Sequence, residues 1–294
     1  MIEDNRQTDP PDFGRAKRVP NWWLRLSVRR RRPWAEKVIK NASKRSGFIQ
    51  GKISIVILSC KRLRELQRLV SGLGEFLKTI ETYRNFETVL VDNGSGHELI
   101  EWAKQTGFFD SIVAHEQNLG MAVALNDAFN QVQGEYILLL EEDFIIEYSR
   151  PFLDDCLSIF SEFPEIGIIR LKNKRNWGKP FRIISPLRVT TRGIEFWTWL
   201  PSFNGKLNVW TAGSVMFRKA SFIETGPIPV GPNLDRSQSS HQGVLYEEVY
   251  GKKYNKHWLA AKIRNCYPFV QPDDHTESPG WGDIGASQDG SNRG

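Results

Sequence analysis

The chain has 294 residues, 40% apolar and 25% charged, with a net charge of +6. That length and balance fit one large α/β domain or two small ones, and they exclude a disordered or fibrous chain. No run approaches the ~20 apolar residues that a membrane span requires.

The net charge conceals a division. Residues 15–45 hold twelve Lys/Arg against Glu36, a local +11. Residues 1–14 carry Glu3, Asp4, Asp9 and Asp12 against Arg6, a local −3. Removing both from the total of +6 leaves −2 for the remaining chain. The basicity therefore belongs to an N-terminal arm. Cys60, Cys156 and Cys266 are odd in number and widely spaced, which fits neither a disulfide framework nor a zinc site. They read as core thiols in a reducing compartment. The acidic start has no apolar core, so no signal peptide is expected and the expected location is cytoplasmic.

In chain order, residues 1–14 are polar with Pro10-Pro11 and are expected to be disordered. Residues 1–50 form the arm. Its Trp22, Trp23, Leu24 and Leu26 precede Arg29 to Arg32, and Pro33 is expected to open a short helix carrying Trp34 and Val38 on one face. Three readings stay open for residues 15–45. The tryptophans pack on the protein's own body, or the arm lies on an anionic membrane surface, or it holds a nucleic-acid backbone.

From Lys52 the pattern becomes strand–helix alternation. Ile53 to Ser59 and Phe86 to Asp92 are apolar runs rich in β-branched residues, and Ser111 to His115 is a third strand. Between them Leu63, Leu66, Leu69, Val70 and Leu73 recur at helical spacing, as do Leu99, Ile100 and Ala103. A helix with Ala122, Leu125, Ala128 and Phe129 follows Asn118-Leu119-Gly120. Short connections between such units imply a mainly parallel, doubly wound sheet.

Positions 137–143, Ile-Leu-Leu-Leu-Glu-Glu-Asp, organise the rest. The apolar run reads as a strand buried on both faces. Its acids then stand at the carboxyl end, where open α/β sheets bind ligands. Alternation puts Glu141 and Asp143 on one face and Glu142 on the other. Two carboxylates on one face repel unless a cation lies between them, and a hard divalent cation accepts that arrangement.

Beyond Asp143 the rhythm loosens. A helix is expected over Phe152 to Phe160 and a strand over Ile166 to Leu171. Hairpins are expected around Pro186 and Asn204-Gly205. A short strand, Ser214 to Phe217, leads to a helix near Ala220, and residues 226–243 form a long loop with three prolines. Tyr246 to Tyr254 is expected to be helical, Leu259 to Val270 extended, and the tail 276–294 mobile.

These motifs resemble the family 2 glycosyltransferases with a GT-A fold. The opening strand reads Ile55-Val56-Ile57-Leu58-Ser59-Cys60-Lys61-Arg62. The second element reads Val91-Asp92-Asn93-Gly94-Ser95. The third stands as Asn118, Gly120, Ala124 and Asn126, then Gly134-Glu135-Tyr136, and the metal motif as Glu141-Glu142-Asp143. Departures from the pattern are Cys60-Lys61 for an aromatic and Asn, Asn93 for Asp, and Glu141 for the first Asp of the metal motif. The resemblance implies a single Rossmann-like α/β sheet with a smaller mixed acceptor-side subdomain. Residues 51–145 would form the nucleotide-sugar half and 146–275 the acceptor half.

By the same resemblance, Asp92 meets the nucleobase, and Glu141 or Glu142 the ribose or sugar. Ser59, Arg62, Asn118, Gly120 and Asn126 line the nucleotide-sugar site. Asp143 would hold Mn2+ or Mg2+, with His275 as a late metal ligand. Glu247-Glu248 resembles the acidic pair that supplies the base in inverting members, and Glu248 is preferred; the alternative is a helix-surface pair of Glu248 with Lys252. The implied reaction moves a sugar from a nucleotide-diphosphate donor, a UDP-sugar first among them. The acceptor would be a glycan, a lipid-linked compound or another hydroxyl compound. Trp177, Trp197, Trp199 and Trp210 are read as core more than as sugar platforms. The alternatives are a nucleotidyltransferase, which would usually need a glycine-rich loop after the first strand, and an inactive scaffold recruited by its basic arm.

Overall fold

The computed structural model describes residues 17–45, 47–80, 85–147, 151–171, 183–200, 210, 212–231 and 245–270. Residues 1–14, Trp177, Asn204-Gly205, His275 and the tail 276–294 lie outside the described residues, as does most of the loop 226–243. The chain begins with β1 (Lys17–Arg18) and α1 (Asn21–Arg45). Then come β2 (Ile49–Ser59), α2 (Leu63–Lys78), β3 (Phe86–Asn93), α3 (His97–Gln105), β4 (Ser111–His115), α4 (Met121–Gln131) and β5 (Gly134–Glu141). The next elements are β6 (Ile145–Ile146), α5 (Phe152–Glu162), β7 (Ile166–Arg170), β8 (Ile183–Ile184), β9 (Arg188–Val189) and β10 (Glu195–Leu200). The last are β11 (Val215–Arg218), α6 (Lys219–Thr225), α7 (Leu245–Tyr254), β12 (Leu259–Ile263) and β13 (Phe269–Val270).

One sheet runs through both halves, in the order β1-β8-β10-β12-β7-β11-β5-β2-β3-β4. Strands β4, β3, β2 and β5 are parallel neighbours. Strand β11 enters antiparallel between β5 and β7, pairing Val215 with both Leu139 and Arg170. Strands β7 and β12 are parallel again, and β10 closes on β12 antiparallel. This is the expected α/β architecture, with a mixed portion beyond β5.

Burial on both faces explains why the central strands read as continuous apolar runs. Ile53, Ile55 and Ile57 of β2 enter one core with Leu66, Leu69 and Leu73 of α2. Val56 and Leu58 enter the other with Leu125, Ala128 and Phe129 of α4. Each such Leu or Ile contributes about 1.5–3 kcal/mol of burial. With both faces filled, the strand ends are where polar side chains can collect.

Three local expectations change. Helix α1 runs 25 residues with Pro33 inside it, so Pro33 does not open it. Pro33 faces solvent while Ala35, Val38 and Ala42 are buried. Tertiary packing along that inner face offsets the roughly 3 kcal/mol that an interior proline costs. Pro186 is not a hairpin turn: β8 and β9, on either side of it, both pair with β10. Lacking an N–H, it sits where the ladder breaks. The turn lies at Thr190–Ile194, where Thr190 N–H donates to Ile194 O at 3.0 Å. Residues 259–270 are two strands, β12 and β13, separated by a turn in which Asn265 has a left-handed φ of 52°.

Candidate active site

The carboxyl ends of β2, β3 and β5 converge because the three strands are neighbours in register. Ser59 lies opposite Asp92, and Leu58 opposite Glu141. Ser59 and Asp92 are both fully buried. Asp92 Oδ2 accepts from Ser95 N–H at 2.9 Å, closing the turn after β3. Its other oxygen, Oδ1, and Ser59 Oγ are buried with no hydrogen-bond partner among the described residues. Buried polar atoms left this way cost free energy unless a ligand or water meets them.

The acid triplet follows one pleat further. Arg62, at the start of α2, reaches both inner acids: Nε stands 3.6 Å from Glu142 Oε1 and Nη1 3.4 Å from Asp143 Oδ2. Burial pushes the Glu142 carboxyl up to about 8, with Arg62 pulling it down and Glu141 and Asp143 pushing it up. Burial also raises the Cys60 thiol, and Glu142 raises it further, so Cys60 is held as a thiol. Glu141 turns toward β11. Gly213 has a φ of 78°, and a Cβ there would lie 2.9 Å from Glu141 Oε1. The left-handed φ favours glycine, and the missing Cβ leaves room for the Glu141 carboxylate. Among the described residues, no three His, Cys, Asp or Glu side chains gather into a ready-made metal cluster.

Asn93 and Asn118 tie the loops after β3 and β4 together. Asn93 Nδ2 donates to Asn118 Oδ1 at 2.9 Å, which also accepts from Gly120 N–H at 2.9 Å. Leu119 N–H donates to Asn93 Oδ1 at 3.0 Å. His115 adds a contact from Nδ1 to Asn93 Oδ1 at 3.3 Å and one from Nε2 to Asp127 at 3.0 Å. The loops meet so closely that a Cβ on Gly94 would lie 2.5 Å from Asn118 N. Asn126 stands apart from this group. Its side chain donates to Ile228 O and accepts from Ile228 N–H, both at 2.8 Å, which anchors the start of the 226–243 loop.

Helix α7 sets the two remaining acids. Tyr246, Tyr250 and Tyr254 recur every four residues and are buried, with Trp210 edge-on to Tyr250 at 4.8 Å. At 100° per residue, Glu247 flanks this stripe and Glu248 lies opposite it. Glu247 Oε1 accepts from Ala212 N–H at 2.8 Å, one residue before the glycine that faces Glu141. Glu248 is half-exposed and pairs with Lys252 at 2.9 Å. Sequence reasoning gave Ala212 no role, since an alanine carries no chemical signal, and took Gly213 only as the start of the run Gly213 to Arg218 that resembles the strand before the acceptor site; Asn93 stood out only as a departure from a pattern. Trp197, Trp199 and Trp210 are 3–5% exposed, so they are core.

A parallel sheet with an inserted antiparallel strand and acids at its carboxyl ends is the GT-A arrangement of nucleotide-sugar transferases. The model of glycosyl transferase family 2 matches residues 54–221, more than half of the chain. The chain belongs to that family and carries its glycosyltransferase domain. No curated protein matches the chain by sequence. Among solved structures, S. aureus TarS 1-349 is similar at 16% identity and a TM-score of 0.50, covering 74% of this chain and 60% of that one. The same protein is also seen in complex with UDP, at 15% identity and a TM-score of 0.50, over the same shares. The mannosyltransferase PcManGT from Pyrobaculum calidifontis, in complex with GDP-Man and Mn2+, is similar at 13% identity and a TM-score of 0.50. That likeness covers 82% of this chain and 64% of that one. At these identities the likeness is one of fold, and the chain spans about three fifths of these structures.

Proposed function

We propose that the chain is a metal-dependent, inverting glycosyltransferase moving a sugar from a nucleotide-diphosphate sugar to an acceptor hydroxyl. One observation carries the reading. Asp92, Glu141, Glu142, Asp143 and Arg62 meet at three adjoining strand ends, and the loop that faces Glu141 is held by Glu247. In this reading residues 51–145 take the donor and 146–275 the acceptor.

Asp92 Oδ1 and Ser59 Oγ, buried and free of partners among the described residues, suit the nucleobase end. The bound UDP and GDP-Man of the similar structures support a nucleotide-sugar donor. Arg62 lies beside the acids, where it can meet the diphosphate. Asp143, with Glu141 or Glu142, would hold Mn2+ or Mg2+. The fit is a site completed by the donor: such cations need only one or two protein carboxylates when phosphate oxygens and water supply the rest. Glu142, poorly solvated with Arg62 at 3.6 Å, suits added positive charge. When bound, the cation neutralises charge on the departing diphosphate. His275 remains a candidate ligand, because Val270, five residues before it, pairs with Ile145, two residues past Asp143.

For the base we favour Glu247 over Glu248. A base must stand within reach of the acceptor hydroxyl. Glu247 is anchored to the loop facing the acid triplet, whereas Glu248 is spent on Lys252 in solvent. The acceptor oxygen attacks the anomeric carbon opposite the diphosphate. Its proton passes to Glu247, the carbon–oxygen bond to the diphosphate breaks, and the nucleoside diphosphate leaves. One displacement inverts the anomeric centre. A glycan or lipid-linked acceptor fits the reading, as does cytoplasmic residence at a membrane through the basic arm.

A thermal-shift screen of nucleotide sugars with Mn2+ or Mg2+ tests it. A true donor at a hundredfold its Kd should stabilise the fold by about 2.7 kcal/mol, raising Tm by roughly 5–10 °C only when metal is present. If no nucleotide sugar moves Tm, the donor assignment fails.

A further inference from the structure

Glycosyl transfer leaves the outer face of α1 unused. The inner face fixes the helix on the body. Ala35, Val38 and Ala42 are buried. Trp34 stacks on His257 at 4.0 Å and meets Trp258 edge-on at 5.3 Å. Arg31 Nη2 donates to Asn255 O at 3.1 Å. The helix therefore cannot roll, and what it turns outward is set.

The outward stripe runs Trp22, Leu26, Arg29, Pro33, Lys37, Lys40 and Lys44, at spacings of three and four, and every member is exposed. Arg25, Arg30 and Arg32 flank it, also exposed. Glu36 is the exposed acid among them, and it pairs with Arg32 at 3.1 Å. Trp22 and Leu26 are 62% and 57% exposed, the most open large apolar side chains among the described residues. They are one turn apart on the same stripe.

We infer that this face docks α1 flat on an anionic lipid bilayer. Trp22 and Leu26 enter the headgroup–acyl boundary and the Lys/Arg row meets lipid phosphates. An interfacial helix needs this pairing: apolar anchors for depth, and bases for attraction to anionic lipid. Trp is suited to that boundary. No described helix is long and apolar enough to cross a membrane, so α1 lies on the surface. Packing on the protein's own body accounts for Trp34 but not for Trp22 or Leu26. A nucleic-acid backbone would use the arginines and leave Leu26 with nothing to contact. Helix α1 rests on α6 and on the turn after α7, so the bilayer meets the half that carries Glu247. On the proposed reading, the acceptor then arrives from the membrane side.

The test uses the full chain in co-sedimentation with phosphatidylcholine vesicles, with and without phosphatidylglycerol. Wild type should bind only the anionic vesicles and weaken as salt rises. The pair Trp22→Ser and Leu26→Ser should weaken binding about tenfold or more. Arg29→Gln with Lys40→Gln should weaken it about 25-fold, at about fivefold per charge. All four side chains are exposed, so Tm should be unchanged to about 2 °C. Equal binding to neutral and anionic vesicles overturns the inference. So does wild-type-like vesicle binding by the Trp22/Leu26 pair, or a preference for duplex DNA over anionic vesicles. Nucleotide-sugar binding by these variants is measured alongside. Its retention when vesicle binding is lost separates this inference from the glycosyl-transfer reading.

Discussion

The parallel strands β4, β3, β2 and β5 and the mixed strands β7, β12 and β10 belong to one sheet, yet they use polar groups differently. In the parallel part, buried polar atoms collect at the strand ends. Ser59 Oγ and Asp92 Oδ1 have no hydrogen-bond partner among the described residues, and Glu142 and Asp143 share one arginine. In the mixed part, buried charge is turned inward to structure. Arg188 meets Glu165 at 2.7 Å, donates to Thr198 Oγ1 at 2.9 Å and lies over Phe163 at 4.2 Å. Arg218 donates to Ile166 O and Phe160 O. Trp197, Trp199 and Trp210 are buried too. The contrast teaches where to look for chemistry. A ligand site needs polar groups at strand ends that a ligand can reach, and in the mixed part the edge of α7 brings Glu247 to Ala212, beside the glycine that faces Glu141.

The largest effect should come from that edge. Glu247→Gln should lower transfer roughly 10²- to 10⁴-fold with donor affinity nearly unchanged, as expected for a lost general base. Glu248→Gln should change transfer by less than about threefold. The reverse pattern in single-turnover assays would move the role to Glu248, and two wild-type-like variants would remove α7 from the mechanism.

The buried tryptophans give the next effect. Trp199→Ala should cost about 3–5 kcal/mol of stability, because it empties a packed position on which Arg170 also stacks at 4.1 Å. Denaturant melts read it directly. A stable variant with weakened acceptor binding would instead make Trp199 a sugar platform and erase the contrast between the two parts.

A smaller effect depends on pH. The Glu142 carboxyl sits at about 8 in the fold against its ordinary 4.5. The folded state thus holds this proton more tightly than the unfolded state. Its contribution is fully present below about pH 4.5 and is lost as pH rises through about 8. Glu142→Gln stays neutral, so in metal-free buffer it should lie close to wild type near about pH 5 and melt roughly 10 °C higher near about pH 9. Parallel melting curves for the two proteins would mean that Glu142 is better solvated than its burial implies.

Much of the parallel part was legible in the sequence. Buried strands such as Ile53 to Ser59 announce themselves by unbroken β-branched runs, and the motif order located Asp92, Asn118 and the acid triplet. The partners of those residues were not legible. Asn126, a candidate site residue, bonds Ile228 through its amide, 102 positions away, a contact no local pattern encodes. The choice between Glu247 and Glu248 needed the phase of α7, which is set by Tyr246, Tyr250 and Tyr254 packing into the core. Pro33 misled for a related reason, since its helix is held by side chains on the opposite face. The readings of Trp22 and Trp34 divided only once their faces were known.

Calorimetric titration of the protein with UDP, and in parallel GDP, in Mn2+ and then in EDTA, repeated on Asp143→Asn, tests the central claim most directly. The account predicts that one nucleotide binds wild type in Mn2+, and that binding weakens about tenfold or more in EDTA and in the variant, at unchanged Tm. Binding that is equally tight in all three cases would contradict a metal and diphosphate site at the end of β5.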